Sequence, residues 1–388
     1  MASVHLSSLK NIEYSGDQFG YYTVGSNFKT YSKLLAVEEM RRTGIHLEWH
    51  FNREQYANYN WTQEPAESLD ELYRQRAQQI RDNYDYVVLF YSGGPDSWNI
   101  LNTFLKNDIK LDEIAHYHSY EGDRDKNTVF NGEIFTTAIP YTQKVVEKHP
   151  YIKHRVIDLS HIINELYLRP DVIHDFIYNI KGIAAVNSLA KSYLREYIDD
   201  YRKIIDSGKR LCFIFGSEKP RLRQFNGKWQ HCFIDVFSDT NLRLQSLYTQ
   251  GYFDEWFYWA PSTAPLVAKQ SHTLMKILKN ESENSPLFTD IWHQSVPGKN
   301  GKFLRNDVYH NLIYPGWDSN TFVASKPFNL LFSERDNWFW NQGEMNKAVQ
   351  IGMSGIKELI SRLGDYWLND SKDPSKGIKG CTNTYNLE

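Results

Sequence analysis

The feature that most restricts the fold is a junction near residue 90. Tyr84-Asp85-Tyr86-Val87-Val88-Leu89-Phe90-Tyr91 is β-branched and aromatic and apolar on both faces, as a central parallel strand should be. Ser92-Gly93-Gly94-Pro95-Asp96-Ser97 follows directly, and a helical stretch runs from Trp98 to Lys106. A buried strand that turns sharply into a helix belongs to an α/β layer structure.

The flanking sequence continues the alternation. Ser68-Leu69-Asp70-Glu71 reads as a capping box, and Leu69, Leu72, Tyr73 and Ile80 recur at helical spacing, predicting a helix over 68–82. Further strands are expected at Glu113–Tyr120, Ile152–Leu159 and Leu211–Phe215. Between them Asn131–His149 reads as a helix that Pro140 must kink or divide. An apolar face running from Val186 to Ile205 marks a long amphipathic helix closed by Ser207-Gly208. The expectation is an α/β fold with a doubly wound parallel sheet over residues 68–223. It carries an aromatic-rich N-terminal extension, 1–67, and a mixed C-terminal one, 224–388. The latter opens on an Asn226-Gly227 hairpin signal, continues in a helix near 263–279 and another near 354–367, and ends in a polar tail, 370–380.

Composition narrows the class. At 388 residues the chain has room for about two or three domains. Lys plus Arg number 44 against 47 Asp plus Glu, a net charge of −3, which disfavours a dedicated polyanion binder. Three cysteines without a CxxC pair disfavour a structural zinc knuckle or a disulfide scaffold and fit a reducing compartment. The first ten residues lack the apolar core of a secretory signal, and no apolar run approaches membrane-spanning length, so a cytoplasmic protein without a membrane partner is expected. His46 and His50 have the spacing of a zinc pair on a helix, but no third ligand is evident.

The glycines at 93 and 94 permit a tight turn with outward-facing amides, and the helix behind adds its partial positive end. Together they describe a cradle for phosphate, to which Ser92 and Ser97 add hydroxyls. Asp96 would repel a bare phosphate and makes sense beside Mg²⁺ on a pyrophosphate. The Walker A spacing is absent. The plain alternative is a glycine turn capped by Asp and Ser. Strand–SGGPDS–helix in one frame resembles the loop of the PP-loop ATP pyrophosphatases, the adenine nucleotide α-hydrolase-like group. The resemblance spans roughly residues 84–225 and is strong in the loop alone. It implies ATP with Mg²⁺, cleavage between the α and β phosphates, and adenylation of an acceptor oxygen that a nucleophile then attacks. By carry-over Ser92, Gly93, Gly94, Asp96 and Ser97 would hold pyrophosphate and metal. Ser119, after the second strand, would lie near the nucleoside.

A second constellation, Gly216-Ser217-Glu218-Lys219-Pro220-Arg221-Leu222-Arg223, leaves the fourth strand. Ligands of open α/β sheets collect at such strand ends, and three cations in five residues suit a departing pyrophosphate. Lys219 and Arg221 are the catalytic candidates, Arg223 an ATP contact and Glu218 a second metal ligand; the plain alternative is a solvated basic loop. Glu133 reads mainly as a helix-start residue. Trp256, Tyr258 and Trp259 wall an acceptor pocket or fill the core.

The acceptor is not legible. Ala2 stands where glutamine-dependent asparagine synthetases carry a cysteine, so ammonia would come free or from a donating partner. Lone cysteines disfavour sulfur transfer, unless the fold unites Cys212 and Cys232. The expected function is an AMP-forming enzyme that activates an acceptor oxygen for attack by nitrogen. The alternatives are a nucleic-acid-modifying enzyme or sulfur transferase of the same group, with Lys219–Lys228 touching tRNA, and a non-catalytic adenine-nucleotide binder.

Overall fold

The computed structural model describes residues 20–30, 33–119, 133–166, 168–169, 190–191, 193–216, 221–225, 227–233, 251–281, 288–290, 302–304, 306–318 and 384–388. The chain opens with β1 (Tyr21–Val24), β2 (Phe28–Thr30), α1 (Lys33–Thr43), β3 (Leu47–His50), α2 (Arg53–Ala57) and α3 (Leu69–Asn83). Next come β4 (Tyr86–Phe90), α4 (Pro95–Lys106), β5 (Glu113–His118), α5 (Ile139–Lys148), β6 (Lys153–Asp158) and α6 (Ser160–Leu166). Then follow α7 (Leu194–Tyr197), α8 (Asp199–Asp206), β7 (Leu211–Phe215), β8 (Arg221–Phe225), β9 (Lys228–Cys232) and β10 (Tyr252–Trp256). The remaining elements are α9 (Ala264–Leu278), β11 (Phe288–Asp290), β12 (Lys302–Leu304), α10 (Asn306–Ile313) and β13 (Tyr385–Asn386).

Five strands form one parallel sheet in the order β10-β7-β4-β5-β6. The earliest strand, β4, is central. The chain winds outward through β5 and β6, returns to the other side of β4, and continues through β7 to β10. The strand order therefore reverses between β4 and β7. Residue 223 does not bound this sheet, since β10 lies beyond it.

Alternating residues of the buried strands feed two cores. Val87, Leu89, Ile114, Cys212 and Ile214 pack toward Leu72, Ile80, Ile100 and Phe104 of α3 and α4, together with Val267 and Leu274 of α9. Val88, Phe90, Ala115, Leu211 and Phe213 pack toward Ile162, Ile163, Leu194 and Tyr201 of α6, α7 and α8. The aromatic N-terminal region shares the first core through Tyr22, Trp49, Phe51, Tyr56 and Trp61. Burying rings of this size supplies much of the apolar stabilisation. Trp256, Tyr258 and Trp259 are core residues too.

Two charges inside, Glu113 and Arg76, are fully engaged. Glu113, wholly buried, accepts from Tyr201 Oη and Arg155 Nε at 2.6 Å each and from Tyr86 Oη at 2.9 Å. Arg76 of α3 bridges to Glu255 of β10 at 2.7 Å and donates to the carbonyls of Trp256 and Phe257. Such satisfaction offsets the cost of desolvating the ions.

Four sequence expectations change in detail. Ser68 caps α3 by accepting from the Glu71 amide, but the Glu71 carboxylate turns to Arg74 and Gln75 rather than closing the box. Ahead of Pro140 stands one turn of π-helix, Ile134–Ala138, and α5 then begins with the proline in its first turn, where no amide is needed. The expected long helix over 186–205 is not continuous in its described residues: α7 spans only Leu194–Tyr197, and Ile198 is extended. Asp199 and Asp200 open a new helix there, favoured by its N-terminal dipole. His46 and His50 do not share a helix; His46 precedes β3 and His50 ends it, bonded to Thr23 Oγ1. The hairpin expectation holds in pairing: β8 and β9 are antiparallel, with Gly227 at φ 74°. Asn226, the helix near 354–367 and the tail lie outside the described residues. Among the described residues no helix is long and apolar enough to cross a membrane.

Candidate functional site

The SGGPDS loop leaves the carboxyl end of β4 at the reversal of strand order. That is where open α/β sheets form their ligand crevice. Gly93 adopts φ 79° and lies against the π-helical turn, where a Cβ would come within 3.2 Å of the Ala138 amide nitrogen. Glycine alone accepts both conditions. Gly94 caps α4, and Pro95 starts it with its fixed φ.

The two serines brace the loop. Ser97 Oγ donates to the Gly94 carbonyl at 3.1 Å and lies 3.3 Å from both the Ser92 amide and Ser92 Oγ. Ser97 is buried, so its hydroxyl serves the turn in this conformation. Pro95 brings no N–H to the first turn of α4, so the amides there that meet no carbonyl of their own helix are those of Asp96 and Ser97.

Asp96, half-buried in that first turn, is held by two tyrosines from distant segments. Tyr314 Oη donates to Asp96 Oδ1 at 2.5 Å, and Tyr258 Oη donates to the Asp96 carbonyl at 2.8 Å. Asn99 Nδ2 donates to Tyr258 Oη at 3.1 Å. Tyr73 Oη donates to the Ile313 carbonyl at 2.6 Å, so α3 fixes the turn that carries Tyr314. Burial, with Asp96 among the neighbouring charges, pushes both Tyr258 and Tyr314 well above the ordinary phenol range. Both remain neutral donors. Trp317 meets Trp98 of α4 edge-on at 5.3 Å, extending this contact along the helix.

Gly216 closes the arrangement from β7. A Cβ there would stand 3.0 Å from Asp96 C, Ser97 N and Ile100 Cδ1. The exit of β7 is thus pressed against the first turn of α4. His116 of β5 supports the base of the loop. Its Nδ1 donates to the Tyr91 carbonyl at 2.6 Å, leaving Nε2 to accept from Thr142 Oγ1 at 3.1 Å. Burial holds His116 down at about 4, so it is neutral.

Of the residues singled out from sequence, Ser92, Gly93, Gly94, Asp96 and Ser97 are brought together. Ser119 is buried just past β5, at the same sheet edge. Glu133 directly precedes the π-helical turn. Glu218 and Lys219 lie outside the described residues. The backbones of Arg221 and Arg223 belong to β8, paired opposite Cys232 and Gln230, so they stand in a strand rather than in the loop expected. Cys212 and Cys232 are not united: both are buried, in different sheets, with no disulfide between them. Burial pushes the Cys212 thiol up, against thiolate formation. Among the described residues no group of three or more His, Cys, Asp or Glu could hold a metal ion. Mg²⁺ needs only one or two carboxylates when phosphates and water supply the rest, so Asp96 fits a metal that arrives with a nucleotide. Tyr314 carries no signal in the sequence, because its meaning depends on neighbours far along the chain, and Gly216 reads there only as the exit of a strand, not as a contact with α4.

No known family model matches the chain, and no curated protein matches it.

Proposed function

We propose that the chain binds Mg·ATP across the ends of β4 and β7 and is an AMP-forming, adenylating enzyme. The observation that carries this reading is the position of the SGGPDS loop: a glycine turn at a helix start, at the reversal of strand order, with one carboxylate in the first turn. The loop amides would hold the pyrophosphate, and Asp96 the Mg²⁺ that comes with it. Bound there, the ion would neutralise the leaving pyrophosphate. An acceptor oxygen attacks the α phosphorus, and the bond to the α–β bridging oxygen breaks. A nitrogen nucleophile then attacks the activated carbon, AMP leaves, and the nitrogen gives up its proton to solvent. Lys219 and Arg221 remain the candidates for meeting the charge of the leaving group, with Arg223 as an ATP contact and Glu218 as a second metal ligand.

The Tyr314–Asp96 bond favours a second reading, in which Asp96 anchors the helix start and the chain binds an adenine nucleotide without turnover.

The experiment is AMP and pyrophosphate release from Mg·ATP, with ammonium and a metabolite pool as acceptor source. Acceptor-stimulated release of both products, abolished in a folded Asp96→Asn variant, is the expected result. ADP and phosphate would overturn the mechanism. ATP bound and unchanged would leave the binding protein.

A further inference from the structure

The π-helical turn Ile134–Ala138 touches the SGGPDS loop directly. A Cβ built on Gly93 would meet Thr137 Cγ2 and Ala138 Cβ at 3.3 Å. Two further contacts tie the helix behind that turn to the base of the loop. Thr142 Oγ1 donates to His116 Nε2 at 3.1 Å, and His116 Nδ1 holds the Tyr91 carbonyl at 2.6 Å. The Tyr141 ring stands 5.8 Å from that of Tyr91, the residue before Ser92. Thr137 is thereby set at the edge of the glycine turn, on the side away from Gly216.

A threonine within a helix ordinarily gives its hydroxyl to a carbonyl one turn back. Thr43, Thr103 and Thr273 do so at 2.7–2.8 Å. Thr137 does not: it is half-buried, and among the described residues its Oγ1 has no hydrogen-bond partner. The π-turn gives the reason. The Ile139 amide reaches five residues back to the Ile134 carbonyl, so the carbonyl that an α-helical threonine meets is displaced. The Thr137 methyl is the group that faces Gly93, and the hydroxyl is one staggered rotamer from the same place. That rotation breaks no hydrogen bond. Ser97 already gives its own hydroxyl to the Gly94 carbonyl, so Thr137 offers the turn a donor that Ser97 does not.

We propose that the Thr137 hydroxyl donates to an oxygen of the polyphosphate held by the SGGPDS loop. The proposal rests on the nucleotide reading above and adds a binding residue from outside both sequence motifs. The shared chemistry is a phosphoanhydride oxyanion, supplied by a nucleotide or by free pyrophosphate.

The test is calorimetry on the full chain with Mg·ATP, magnesium pyrophosphate and adenosine as separate probes. Thr137→Val keeps the branched shape and removes the hydroxyl. It should weaken Mg·ATP and pyrophosphate about 10- to 100-fold, the range for a hydrogen bond to a charged group, and leave adenosine unchanged. Thr137→Ser keeps the hydroxyl and should bind both anions more tightly than the valine variant. A folded Thr137→Val that binds both anions as tightly as the parent overturns the role of Thr137 and leaves the nucleotide reading standing. A serine variant as weak as the valine one does the same. Adenosine weakened in step with ATP would mean that the side chain only shapes the crevice, and also overturns the proposal. A parent that binds neither ATP nor pyrophosphate overturns both readings. Should the valine variant fail to fold, Thr137→Ala takes its place against the serine variant, with the same outcomes.

Discussion

Tyr314 donates a 2.5 Å hydrogen bond to Oδ1 of Asp96, across 218 residues of sequence. The carboxylate at the start of α4 is therefore positioned by the turn after α10, far outside the α/β region read from the sequence. The phenol is buried and its pKa is raised, chiefly by desolvation, so it stays a donor at any ordinary pH.

Tyr314→Phe removes that donor and leaves the ring in place. The cost in unfolding free energy should be roughly 1.5–3 kcal/mol, the range for a hydrogen bond to a charged group, read by urea titration. Where Asp96 also serves Mg²⁺, the same variant should change ATP affinity in magnesium and leave it unchanged in EDTA. Parent-like stability would show that the hydroxyl does not hold the helix start.

Gly216→Ala puts a methyl where 3.0 Å contacts already wait on Asp96, Ser97 and Ile100. Two of these are backbone atoms, which cannot swing aside. The expected destabilisation is roughly 1–3 kcal/mol, as for overpacked sites, with a parallel loss of nucleotide affinity as α4 is displaced. Unchanged affinity in a destabilised variant would mean that the first turn of α4 is not part of the binding surface.

His116 gives a pH signature. Its folded pKa is lowered to about 4 by burial, against an unfolded value near 6.5. The unfolded chain thus binds the extra proton first. The stability that neutral His116 contributes is present above pH 6.5 and is lost as pH falls toward 4. One such proton corresponds to about 1.4 kcal/mol per pH unit. Denaturant titrations between pH 6.5 and 4 should show the parent losing stability more steeply than His116→Phe, by up to that slope. Equal slopes would remove His116 from the acid transition.

The strands were legible because parallel sheet strands advertise themselves. Leu211–Phe215 could be bounded to the residue, since every position is apolar and Gly216 follows. The SGGPDS turn was legible because glycine, proline and a helix start leave little conformational choice. The fifth strand, β10, was missed: Tyr252-Phe253-Asp254-Glu255-Trp256 carries two carboxylates in its middle, and Arg76 of α3 is what makes Glu255 tolerable there. The break at Ile198 was hidden by an apolar period that runs through it unchanged.

The order in which synthesis delivers these parts has a consequence for folding. The strands flanking the crevice, β4 and β7, pair Tyr86 with Leu211, and the final clamp on Asp96 waits for Tyr314. Contacts of such long range are slow to close, because loop entropy is lost before they stabilise anything. A nascent chain that has emerged through β7 holds the glycine turn and its helix but not the tyrosine that fixes the carboxylate. Full order at the crevice therefore comes late, and refolding followed by ligand binding should lag behind refolding followed by helical signal.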